Sequence, residues 1–168
     1  VLDRIARETA HARDGRPGRS VAKMNALNGP QVMLALYEAA QAGVKVDLVV
    51  RGACTLRVGI DGISENIRVR SVVGRFLEHH RIWWFGNDGQ PKLYCSSADW
   101  LERNLLRRVE TAFPILDPEC ARRVHQEGLL NYLLDNQNAW DVQPDGSYAK
   151  CIPAEGDAPF SAQLSLLE

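Results

Sequence analysis

The stretch Val44-Lys45-Val46-Asp47-Leu48-Val49-Val50 is β-branched and almost continuously apolar, with Gly43 before it and Arg51-Gly52 after it. A run of that length and composition reads as a strand covered on both faces, the habit of parallel rather than half-exposed antiparallel strands. Immediately upstream, Asn28-Gly29-Pro30 opens a helix with proline in its first turn, residues 31–42 continue it, and Gly43 closes it. Further back, residues 20–24 are short and β-compatible. Residues 2–13 read as a helix with Leu2, Ile5, Ala6 and Ala10 towards one face and Asp14-Gly15 as the stop. Strand, helix and strand in succession point to an α/β layer structure with helices flanking the sheet.

Downstream the pattern loosens. Gly52, Gly59 and Gly62 interrupt any regular period, so residues 51–64 read as a long loop. Residues 64–66 read as the start of a short helical or irregular stretch running to Phe76-Leu77. The segments RIWWF (81–85) and KLYCS (92–96) flank Gly86-Asn87-Asp88-Gly89, a strong hairpin signal. Asp99 is placed to cap a short helix ending near Leu105, and residues 108–115 are strand-like. Asp117-Pro118 then opens a helix with Val124, Leu130, Leu133 and Leu134 as candidate core positions. From Gln143 the chain is rich in Pro, Gly and acid. The expected organisation is one domain over 1–138, followed by an acidic tail over 139–168 that packs on it or frays.

The chain has 168 residues, 45% hydrophobic and 24% charged, which suits one buried core of an ordinary globular domain. No run of about 18 apolar residues exists, which argues against a membrane span, and no secretory signal opens the chain. The start at Val1, in mid-helix, leads us to expect a piece of a longer protein. Cys54, Cys95, Cys120 and Cys151 lie far apart without a CxxC pair, so four buried, reduced cysteines and no metal site are expected. That fits a cytoplasmic protein.

Net charge is -1 but unevenly placed. Between residues 51 and 81 there are six arginines (51, 57, 68, 70, 75 and 81), no lysine and three acids, whereas the stretch from Trp140 onward has five acids and one lysine. A guanidinium fork holds two oxygens of one phosphate and never loses its charge, so the first region suits an anionic ligand. Nucleic acid is disfavoured, because no basic stripe is interleaved with exposed aromatics. Trp83 and Trp84 lie in a strand and read as sheet-face residues. Lys23 and Asn25, at another strand end, are placed to face the same cleft.

Ligands of open α/β sheets gather at the carboxyl ends of strands. Two segments qualify: the loop entered through Arg51, and residues 77–81, where His79-His80-Arg81 precedes a strand. A histidine can serve as nucleophile or proton donor near neutral pH, an adjacent cation neutralises phosphate oxygens, and a serine hydroxyl or helix-start N–H adds donors. His79-His80-Arg81 followed by Ser96-Ser97-Ala98-Asp99 resembles the phospholipase-D-like pairing of His-x-Lys with a small-hydroxyl segment, with Arg81 and Asp99 as departures.

Four longer blocks sharpen this: Asp47–Gly52, Gly62–Arg68, Gly74–His79, and Ser96-Ser97-Ala98-Asp99-Trp100 continuing through Arg103-Asn104 to Arg108-Val109-Glu110. In this order and spacing they resemble class-one polyphosphate kinase, over some four-fifths of the chain. The resemblance implies an α/β phospholipase-D-like mixed sheet flanked by helices, the last of two such halves. It implies an enzyme that moves the terminal phosphate of ATP reversibly to inorganic polyphosphate, with Mg2+ and through a phosphohistidine in the preceding half. The magnesium ligands would also lie upstream. By motif, Arg51 and His79 fall on ATP-contacting positions, with His79 the catalytic histidine because it directly follows Phe-Leu-Glu. Arg81, Arg108, Arg68 and Ser97 are candidates for polyphosphate contact. Arg103 reads as structural, pairing with Glu110 or bracing the loop, and Ser97 and Asp99 as helix-start residues. The implied partners are ATP or ADP, polyphosphate, the upstream half, and further copies in a homo-oligomer. The implied location is cytoplasmic, with room for peripheral membrane association. Rival readings are another phospholipase-D-like phosphodiesterase or transferase, and a non-catalytic polyanion-binding domain.

Overall fold

The computed structural model describes residues 1–167. Three parallel strands form its centre: β1 (Arg19–Met24), β2 (Lys45–Val50) and β3 (Ile67–Val72), paired in register with Ser20 beside Val46 and Asp47 beside Arg68. Antiparallel strands widen the sheet on both sides. β4 (Arg81–Phe85), β5 (Lys92–Ser96) and β6 (Ala112–Pro114) extend it from β1, and β7 (Ala139–Val142) and β8 (Tyr148–Lys150) extend it from β3. The spatial order is β6-β5-β4-β1-β2-β3-β7-β8, a mixed eight-stranded sheet.

Strand alternation divides the core in two. On one face, Ala22, Met24, Val46, Leu48, Val50, Trp83 and Phe85 pack with Ile5, Val32 and Leu36 of α1 (Leu2–Arg13) and α2 (Pro30–Gln41). On the other, Val21 and Ile82 pack with Leu129, and Val49 and Val72 with Tyr132. Those two residues belong to a helical rod made of α4 (Pro118–His125), a π turn (Gln126–Leu130) and α5 (Asn131–Leu134). α3 (Glu102–Leu106) is a short helix at the carboxyl end of the parallel strands.

Several expectations are corrected. Residues 67–72 are a strand, not a helical or irregular stretch: Ile67, Val69 and Ser71 point one way and Arg68 and Arg70 the other, the signature of a strand with one polar face. In α1 the buried positions are Ile5, Glu8 and Thr9, while Leu2, Ala6 and Ala10 are exposed. Glu8 is buried because its carboxylate accepts from the N–H groups of Arg19 and Asn87, tying the hairpin turn to the start of β1. In the last helix the fully buried positions are Leu129 and Tyr132; Val124, Leu130 and Leu133 are only partly covered and Leu134 is exposed. The π turn inserts an extra residue and so rotates the apolar face by about 100°. The strand expected over 108–115 is confined to Ala112–Pro114. None of the four cysteines is fully buried; all are free thiols, and Cys120 is exposed. β7 and β8 lie in the acidic stretch, and Ala162 and Gln163 beyond them are buried.

Candidate active site at the carboxyl ends of the parallel strands

β1 and β2 run side by side and both stop at the same level, Met24 opposite Val50. The next residues, Asn25 and Arg51, therefore emerge together. β4 runs back along β1 with Ile82 opposite Lys23, which brings Arg81 and its predecessors to that same edge. The loop after β5 completes it, since the Asn28 and Gly29 N–H groups donate to the Trp100 carbonyl and the Leu27 N–H to the Ala53 carbonyl. Four segments distant in sequence thus meet at one strand end.

A chain of hydrogen bonds joins them. The Arg51 Nε donates to Asn25 Oδ1 at 3.1 Å. The Asn25 backbone N–H donates to Asp99 Oδ1 at 2.7 Å, and Asp99 receives the Arg81 fork at 3.2 and 3.1 Å. Arg81 Nη1 then donates to the His79 carbonyl at 2.9 Å. Burial raises the affinity of Asp99 for a proton, but Arg81 and the Asn25 and Ala26 amides outweigh it and hold the carboxyl below its usual range. Asp99 is therefore not a helix cap: α3 begins later, with Leu101 at its N-cap and no side-chain cap bond. Nor is Arg81 open to solvent, being 17% exposed with its fork closed on Asp99 and the His79 carbonyl.

Beneath this edge lies a buried ion pair. Lys23 Nζ stands 2.7 Å from Glu78 Oε2, with the two side chains 2% and 8% exposed. The ammonium also sits 4.5 Å from the centre of the Tyr132 ring, whose hydroxyl donates to Glu78, as does Gln163 Nε2. Burial pulls the Lys23 pKa down despite Glu78, and Arg51 and Arg81 add to that pull. Burial pushes the Glu78 carboxyl up, while Lys23, Tyr132 and Gln163 more than offset it. Burial and hydrogen bonding to Glu78 raise the Tyr132 hydroxyl.

The two adjacent histidines differ in setting. His79 is exposed, at the lip of the site. His80 turns inward, its ring centre 5.3 Å from that of Tyr132, and burial together with the nearby Lys23 charge lowers its pKa to about 4. It is a neutral packing group at physiological pH.

The remaining candidates scatter. The Ser97 hydroxyl donates to Glu110 and accepts from the Thr111 N–H at 3.0 Å, bracing the loop after α3. Asn104, rather than the expected Arg103, is the second donor to Glu110. Ser97 also lines a cavity of about 560 Å3 with His80, Arg81 and Phe113. Arg108 is exposed in the same loop. Arg68 lies at the other end of the sheet. It is the second residue of β3, opposite Asp47, which lies four residues before Arg51, or about 13 Å along the strand. Its guanidinium pairs with Asp47 at 2.9 Å and remains 81% exposed. As expected, Trp83 is buried within the sheet and Trp84 half-buried on its face, where it stacks on His125.

Sequence reading missed Glu78, Tyr132 and Gln163. The available signal was Lys23, a lone lysine inside an apolar strand, which requires a buried partner. Among the described residues no three His, Cys, Asp or Glu side chains cluster as metal ligands. The carboxylates at the site also do not fit a magnesium ion, since Glu78 is taken by Lys23 and Asp99 by Arg81.

The fold is that of the phospholipase D class. The structure of a phospholipase D family member, Nuc from Salmonella typhimurium, superimposes with a TM-score of 0.50 and 17% identity, over 70% of this chain and 80% of that one. Within that class the chain belongs to the family described as polyphosphate kinase C-terminal domain 2, whose model matches residues 1–163. A polyphosphate kinase from Xylella fastidiosa is 65% identical over all 168 residues, which make up 24% of that protein's length. The crystal structure of polyphosphate kinase from Porphyromonas gingivalis matches with a TM-score of 0.93 at 38% identity, covering 98% of this chain and 25% of that one. The chain thus spans about a quarter of the length of the polyphosphate kinases it matches.

Proposed function

We propose that this domain is the C-terminal catalytic half of a polyphosphate kinase, holding ATP and polyphosphate phosphates between Arg51 and His79. The observation that carries the reading is the strand-end frame Arg51–Asn25–Asp99–Arg81–His79, which holds the Arg51 guanidinium and the backbone of His79 at one edge. Arg51 Nε is engaged by Asn25, which leaves the two terminal nitrogens as the fork to grip a β- or γ-phosphate. His79, exposed beside it, gives or accepts a proton or stabilises charge on the moving phosphoryl group.

In this reading the reaction runs in two transfers. A nitrogen of a histidine in the upstream half forms a bond to the γ-phosphorus as the bond to the ADP oxygen breaks. The terminal oxygen of polyphosphate then bonds to that phosphorus as the phosphorus–nitrogen bond breaks and frees the histidine, and the sequence reverses to make ATP. The upstream half supplies the nucleophile and the magnesium ligands; this domain supplies Arg51 and His79. Arg108, exposed near the same edge, is a candidate guide for the polyphosphate chain, whereas Arg81 and Ser97 act through the groups they brace. The full enzyme is read as a cytoplasmic homo-oligomer that can associate peripherally with membrane. Among the described residues no helix is long and apolar enough to cross one.

The test follows label from γ-labelled ATP. The isolated domain should neither become labelled nor extend polyphosphate. In the full-length enzyme, His79→Ala should cut synthesis by about 1,000-fold with folding intact, the scale of a lost acid–base group. His80→Ala should be much milder. Near-normal synthesis by His79→Ala would sink the assignment.

A further inference from the structure

Residues 73–80, between β3 and β4, carry His79 but have no regular secondary structure. Phe76, Leu77 and His79 are exposed, Leu77 by 78%, so the loop gains little from packing. Its position is set instead by a few polar anchors: the Val73 N–H on the Asn138 carbonyl at its start, the Glu78 side chain and Arg81 on the His79 carbonyl at its end, and between them one residue far along the chain. Gln163, 6% exposed, accepts from the Phe76 N–H at 2.9 Å and donates to the Phe76 carbonyl at 2.8 Å and to Glu78 Oε1 at 2.9 Å. One side-chain amide thus replaces the ladder that a strand would have provided, and braces both backbone and side chain within three residues of His79.

Two further features support this. Gly74 lies against the same amide: a Cβ there would stand 2.3 Å from Gln163 Oε1, so only glycine admits the contact. The segment carrying Gln163 is itself fixed, because the Ala162 N–H donates to Asp135 Oδ2 at 2.8 Å, the Phe160 N–H to Asn136 Oδ1 at 2.8 Å, and Asn138 to Ser161 Oγ at 2.9 Å. Asp135 also receives the Gln137 and Asn138 amides, which makes the end of α5 a firm base.

We propose that Gln163 is a positioning residue for His79: the C-terminal segment acts as a strap that holds the histidine loop in its reactive place. The inference rests on the reading of His79 given above. It deepens that reading by assigning a role to a segment far along the chain from Arg51 and His79.

The experiment uses the full-length enzyme with Gln163→Leu, which keeps bulk but removes all three hydrogen bonds. Gly74→Ala dislodges the amide from the other side, and His79→Ala runs alongside. Both of the first two variants should lower kcat by about 10- to 100-fold, the scale of an ångström-sized misplacement, with the KM for ATP within about threefold of normal. Amide hydrogen exchange over 74–78 should quicken by about tenfold or more while the central strands keep their protection. An unchanged kcat in Gln163→Leu, in an enzyme that His79→Ala inactivates, overturns the strap alone. So does a fall in kcat accompanied by faster exchange throughout the domain, which marks a merely structural residue. If His79→Ala stays active, the reading beneath has failed and the strap falls with it.

Discussion

The two ends of β2 hold arginines in contrasting ways. At the carboxyl end Arg51 hydrogen-bonds a neutral amide, and the charges around it, Lys23, Glu78, Arg81 and Asp99, are buried and paired. At the amino end Asp47 is flanked by Arg19 and Arg68, both largely exposed, above a cavity of about 580 Å3 that Arg70 and Asp141 also line. Both ends are rich in guanidinium. At the amino end two exposed guanidinia share one carboxylate, whereas at the carboxyl end a single guanidinium is held by a neutral amide among charges that are already paired. Arginine count along the sequence does not distinguish them; strand polarity does.

Substitutions at Lys23, Arg51 and Arg68 bear on this contrast. Lys23→Met leaves Glu78 buried without its cation and should destabilise the domain by about 3–5 kcal/mol, with the Lys23→Met/Glu78→Gln pair recovering part of that. Denaturant unfolding measures both, and a loss under about 1 kcal/mol would mean that water reaches the pair. Next, Arg51→Ala should reduce kcat/KM for ATP by about 100-fold, and Arg51→Lys should recover little of it, because an ammonium lacks the fork that meets Asn25 and a phosphate together. Full rescue by lysine would reduce Arg51 to a point charge. Last, Arg68→Ala should leave synthesis within about twofold and stability within about 0.5 kcal/mol, as for an exposed ion pair. A large loss of processivity in that variant would place polyphosphate at the amino end as well.

The sequence made some of this legible. The run at 44–50, the proline-started helix before it and the Gly86–Gly89 hairpin each declare themselves locally, and the blocks around Arg51 and His79 point to one edge. β3 escaped because its outward arginines break the apolar run, so that IRVRSV does not look like its neighbour VDLVV. The register of the last helix escaped because a π turn leaves no mark in the spacing. Asp99 sits where a cap would, three residues before Glu102, yet its carboxylate is claimed by a strand-end amide and an arginine from elsewhere in the chain. The Glu78–Tyr132–Gln163 contacts span 54 and 85 residues, and no local pattern encodes them.

The sheet's borders carry a practical consequence. β6 and β8 are three residues each; β6 ends in Pro114 and β8 in Lys150, with Pro153 shortly beyond. Short rims with proline and charge make poor templates for another chain's strand, so they resist the edge-to-edge recruitment that seeds fibrils. When this domain is separated from its neighbours and concentrated, as the labelling control requires, any clumping should therefore come from bare apolar side chains such as Leu77 and Val109 rather than from its backbone.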